Sequence, residues 1–68
     1  MSCCDDYFAV RFHRKDGKPH EEYCYSRKED AVYHFNLFHD DDSGLYTHID
    51  LIEINPGSPE VVLDIIRF

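Results

Sequence analysis

A chain of 68 residues with a formal net charge of −7 holds one small domain, and its acidity opposes nonspecific contact with nucleic acid or anionic lipid. Five Phe, five Tyr and a C-terminal cluster of Val, Ile and Leu supply material for a core, which excludes a disordered composition. No apolar stretch approaches the length of a membrane span, and acids follow the opening MSCC where a signal peptide would need an apolar run.

Residues 1–68 therefore read as one domain, with residues 1–5 expected to be a flexible N-terminus. Three cysteines, Cys3, Cys4 and Cys24, leave an odd thiol, and the adjacent pair is poorly placed to bridge. That usage predicts a cytoplasmic protein with reduced thiols. Ordering so short a chain costs on the order of 100 kcal/mol, at roughly 1.5 kcal/mol per residue, so a partner subunit would be useful support.

In YFAVRFHR, Phe8, Val10 and Phe12 alternate with Tyr7, Ala9, Arg11 and His13, which predicts a half-buried strand. KDGKP is a turn, and HEEYCYS reads as the returning strand, whose glutamates suit a sheet edge. Ser26 has the character of a helix N-cap, and Glu29 three residues on completes a capping-box pattern. The helix is predicted from about Arg27 to His39 or Asp40. It buries a stripe of Ala31, His34, Phe35 and Phe38, flanked by Val32 and Leu37, with Tyr33 pointing away. Acids at a helix C-terminus oppose its dipole, so Asp40, Asp41 and Asp42 mark its end, with Gly44 releasing the chain.

LYTHIDLIEI and EVVLDIIRF supply a second hairpin around NPGSP. Neither strand alternates cleanly. Ile49 and Leu51 take one face and Ile52 and Ile54 the other, while Val61, Leu63 and Ile65 oppose Val62, Ile66 and Phe68. The predicted fold class is α+β: ββαββ, a four-stranded antiparallel sheet with one helix packed on one face. A single helix leaves apolar side chains uncovered on the other side.

No constellation carries a recognisable chemistry. There is no Cys-x-x-Cys pair, no His-Glu-x-x-His spacing and no glycine-rich phosphate loop. A calcium loop beginning at Asp40 fails because Gly44 falls fifth and Leu51 occupies the twelfth position, where a bidentate Glu is required. His34 reads as a hydrogen-bonded core histidine. No catalytic residue, cofactor or metal site is predicted.

The expectation is a small acidic protein that works by protein–protein interaction, as a homodimer, without catalysis and without a membrane. Its candidate interaction surface is Asp40, Asp41, Asp42, Val62, Ile66 and Phe68, with a basic protein as a further partner for the acidic half. Two alternatives stand beside it. One is a metal- or thiol-dependent site using histidines and cysteines, such as Cys24 beside a histidine, or Cys3, Cys4 and His13 meeting across a dimer. The other is nucleic-acid binding through the basic hairpin 11–18, although six of seven basic residues between Arg11 and Lys28 are offset by nine acids from Glu29 onward.

Overall fold

The computed structural model describes residues 6–68, so Cys3, Cys4 and the expected flexible segment 1–5 lie outside the described residues. Its elements run β1 (Tyr7–Arg14), β2 (Glu21–Tyr25), α1 (Lys28–Asn36), β3 (Tyr46–Ile54) and β4 (Val61–Arg67). The four strands form one antiparallel sheet in the order β2-β1-β3-β4. The ββαββ prediction holds, and the glutamate-bearing β2 is an edge.

Alternation in β1 sets the two faces. Val10 and Phe12 lie under α1 and join Ala31, Phe35, Ile49, Leu51 and Ile66 in the buried cluster. Phe8, Tyr25, Val32, Phe38 and Tyr46 pack around it. The ring of Phe12 is its hub, edge-on to Phe38 at 4.8 Å and to Tyr23 at 5.7 Å. Tyr33, 68% exposed, points away as its helical position predicts, but Leu37 does not flank the core and is 61% exposed.

The helix departs from expectation at both ends. Arg27, not Ser26, is the N-cap residue, and its side chain makes no capping bond. The start therefore falls one residue late, which puts Glu29 at the second helical position, where it cannot complete a capping box. At the other end α1 stops at Asn36, and the last α-helical bond runs from Leu37 N–H to Tyr33 O. Tighter i→i+3 turns carry on through Phe38 N–H to Phe35 O, His39 N–H to Asn36 O and Asp41 N–H to Phe38 O. Gly44 does take a left-handed φ of 74°, but in the later turn, since the C-cap is Leu37 in the right-handed region.

Strand β4 carries the largest correction. Asp64 pairs with Leu51 and Val62 with Ile52, so Leu63 is one residue in excess, a β-bulge. Past the bulge Ile66 pairs with Ile49 and turns under the sheet into the core, only 6% exposed. Val62 shares the opposite face with Ile52 and is 50% exposed. Ile66 thus does not belong to the expected interaction surface, and it does not share a face with Val62. The mixed pattern that reads as a strand apolar on both sides is partly a strand whose alternation is shifted by one inserted residue. The helix packs against β1, β2 and β3 and leaves β4 outside its cover.

Candidate functional site

The helix-free face carries the polar chemistry. On it β1 presents Ala9, Arg11 and His13, and β3 presents His48, Asp50 and Ile52, paired His13↔His48, Arg11↔Asp50 and Ala9↔Ile52. Side chains opposite one another on adjacent strands are near neighbours. The six therefore form three adjoining zones.

The first is apolar. Ala9 and Ile52 are fully buried, while Val62 beside Ile52 and Ile65 beside Asp50 are exposed. The second is an ion cluster centred on Arg11. Its Nε donates to Glu22 Oε1 at 2.8 Å, Nη2 to Glu60 Oε2 at 3.0 Å and Nη1 to Glu60 Oε1 at 3.4 Å. Those bonds, to Glu60 first and then Glu22, raise the guanidinium's pKa further above its already high value.

The third zone brings together three groups that the sequence holds apart. His13 Nε2 lies 2.8 Å from Asp50 Oδ2, and His48 Nε2 lies 3.8 Å from Asp50 Oδ1. The two imidazoles are stacked, with centroids 3.9 Å apart and planes 14° from parallel. One potential ligand atom from each of the three residues lies within 4.8 Å of the others. The Asp50 side chain is 12% exposed, and the His13 and His48 side chains about a third.

A second bulge builds this zone. His13 pairs with His48 but Arg14 pairs with Tyr46, so Thr47 is the extra residue. Its Oγ1 lies 3.4 Å from the His13 carbonyl oxygen and 3.0 Å from His48 Nδ1. Sequence reasoning singled out His13 only with the distant Cys3 and Cys4, and did not reach His48 or Asp50. The retrievable signal was the two-residue spacing of His48 and Asp50, which places both on one strand face; their position opposite His13 depends on the β1–β3 register, which no hairpin sets.

The helix side offers a different feature, a groove of about 410 Å³ lined by Tyr25, Asp30, Tyr33, His34 and Leu37. The Tyr25 hydroxyl and His34 Nδ1 are hydrogen-bonded to each other. Burial lowers the His34 pKa by disfavouring the charged ring, and burial likewise raises that of Tyr25. His34 is the hydrogen-bonded histidine that its position near the apolar stripe predicts.

The remaining sequence candidates are dispersed. Asp40, Asp41 and Asp42 lie in the connection to β3, where Asp41 Oδ2 accepts from Ser43 N–H at 3.4 Å and Ser43 Oγ at 2.7 Å. Val62 pairs near the far end of β3, roughly 20 Å along a strand from Tyr46 at ~3.3 Å per residue, so the acidic run and Val62 do not form one surface. Phe68 is 46% exposed, with its N–H on the carbonyl of Thr47. In the basic hairpin, Arg14 is held by Asp16 at 2.8 Å and Glu21 at 3.2 Å, and the contact with Arg14, followed by the Lys18 N–H, lowers the Asp16 pKa to about 2. Both arginines of residues 11–18 are thus engaged by carboxylates of the same chain. Cys24 is an exposed thiol on β2.

Among the described residues, no helix is long and apolar enough to cross a membrane. In comparisons with known proteins, no family model, no curated protein and no solved structure matches this chain.

Proposed function

We propose that this protein acts by macromolecular interaction, without catalysis, and that its first partner is a second copy of itself. One observation carries the reading. Strand β4 is an edge outside the helix's cover, and Val61, Val62, Leu63, Ile65 and Phe68 on or beside it are all at least 36% exposed. Such a concentration of apolar surface on a small chain favours burial against a partner.

The chemistry of the strand selects the occupant. Within VVLDIIR, Asp64 and Arg67 balance, so β4 is locally neutral in a chain of net charge −7. A basic partner would gain little there, whereas two copies can meet there without opposing like charges. A core this small also gains from additional burial.

Contact through side chains is favoured over simple extension of the sheet. The Leu63 bulge disturbs the ladder, and the Asp64 carboxylate already accepts the Ile65 N–H at 2.8 Å. Both are devices that blunt an edge against strand addition. Val62 and Ile65 on the helix-free face are then the anchors of a two-fold contact. We assign the protein to the cytoplasm on its cysteine usage, with the exposed Cys24 thiol in keeping.

Light scattering over a dilution series at low and high salt tests the proposal. A dimer is expected, strengthened by salt because screening weakens repulsion between two acidic chains. The variant V62D/I65D should be monomeric and folded by circular dichroism. A wild-type monomer at every concentration in both buffers would refute the reading. Ile66→Asp is unsuitable as an interface variant, since it places a charge in the core.

A further inference from the structure

We infer that His13, His48 and Asp50 form a binding site for a late first-row divalent metal ion, zinc in the first instance. The donors fit that class. Two imidazole nitrogens and one carboxylate suit zinc and leave a coordination position open, whereas calcium and magnesium need a fuller set of oxygens. The potential ligand atoms already lie within 4.8 Å of one another, so drawing them onto a common ion requires side-chain adjustment and no change of strand register.

The hydrogen bonds around His48 give independent support. The hydroxyl of Thr47 has one hydrogen, and the His13 carbonyl, which can only accept, takes it at 3.4 Å. With the hydrogen placed there, Thr47 Oγ1 accepts from His48 Nδ1, 3.0 Å away. In that tautomer the lone pair of His48 is on Nε2, which faces Asp50 Oδ1 at 3.8 Å. A lone pair and a carboxylate oxygen turned toward each other are stabilised by a cation between them. Metal-bound histidines are commonly held in this way, with the second ring nitrogen donating to a fixed partner.

The surrounding charges do not meet that need. Arg11 is the register partner of Asp50, but all three of its guanidinium nitrogens bond to Glu22 and Glu60, and Arg67, opposite His48 on β4, forms no ion pair with Asp50. His13 Nε2 shares its proton with Asp50 Oδ2 at 2.8 Å. On binding, that proton leaves Nε2, either for Nδ1 of the same ring or for solvent, and the freed lone pair completes the three-ligand set. His20, its ring 5.6 Å from that of His13, lies beside the site but is not one of its three converging donors.

This inference does not depend on self-association, because the stoichiometry is counted per chain. Calorimetric titration of the untagged full chain with zinc chloride should saturate at one zinc per chain and raise the melting temperature, while magnesium chloride should do neither. His48→Gln should abolish binding, and Thr47→Val should weaken it by roughly 10–100-fold, as loss of a supporting partner does. His39→Gln and replacement of all three cysteines by serine should leave it unchanged. In wild-type protein the ring resonances of His13 and His48, and not those of His39, should shift on addition of zinc, a readout that requires no variant to fold. The absence of saturable zinc binding would overturn the site. So would retention of binding in folded His48→Gln, loss of binding in the cysteine variant, or magnesium binding as tight as zinc.

Discussion

Arg11 and Glu60, 49 residues apart, are joined by two hydrogen bonds that tie central strand β1 to the segment leading into edge strand β4. The two ends of the contact differ in environment. The Arg11 side chain is 20% exposed and that of Glu60 is 49% exposed. Glu60→Gln should therefore cost no more than about 1 kcal/mol, as exposed ion pairs do. Arg11→Ala should cost roughly 1–3 kcal/mol, because it removes a mostly buried stem and leaves two carboxylates without their donor. Urea unfolding of the two variants should preserve that order.

Phe35 is 1% exposed and fills the centre of the cluster between α1 and the sheet. Phe35→Ala should lower stability by about 3–5 kcal/mol, the range for buried aromatics. For a domain of this size such a loss approaches the whole folding free energy. The melting transition should fall below the physiological range, and an unshifted transition would mean that another face of the helix is buried.

Arg27 occupies the N-cap with an extended backbone, φ −116° and ψ 137°, and offers no acceptor to the first helical N–H groups. Arg27→Asp supplies one and adds negative charge at the positive end of the helix dipole. It should stabilise the protein by about 1 kcal/mol. Thermal melts at neutral pH give the comparison.

His34 makes stability dependent on pH with a definite sign. Its folded pKa lies below the ordinary value of 6.5 because burial disfavours the charged ring. The unfolded chain binds the proton more readily, so stability is fully present above about 6.5 and falls as pH drops toward the folded value. The difference between wild type and His34→Gln, measured by denaturant midpoints from pH 8 to pH 5, isolates this group from the other histidines. The wild type should lose more stability on acidification, and equal slopes would contradict the assignment.

Local alternation carried most of the fold. Val10 and Phe12 under the helix, Tyr33 in solvent and the paired faces of β3 follow from periodicity alone, because each depends on side chains within one element. The inserted residues do not. Nothing in VVLDII marks Leu63 as supernumerary, since the bulge is defined by the partner strand. The same holds for Thr47, and with it the meeting of His13, His48 and Asp50. Helix start was misplaced for a different reason. Serine, arginine, lysine and glutamate satisfy the capping pattern locally, yet the helix begins one residue later.

Strand order also ranks the elements by how easily each opens. β1 lies between β2 and β3 beneath the helix, whereas β4 pairs with β3 alone. Separating β4 breaks one ladder and releases only Ile66 from the core, so a partly open form retaining β2-β1-β3 and α1 is accessible below global unfolding. Amide hydrogens of β4 should exchange with solvent well before those of β1. A second copy docked against β4 would slow that exchange selectively, and this edge strand would then report directly on whether the chain is alone.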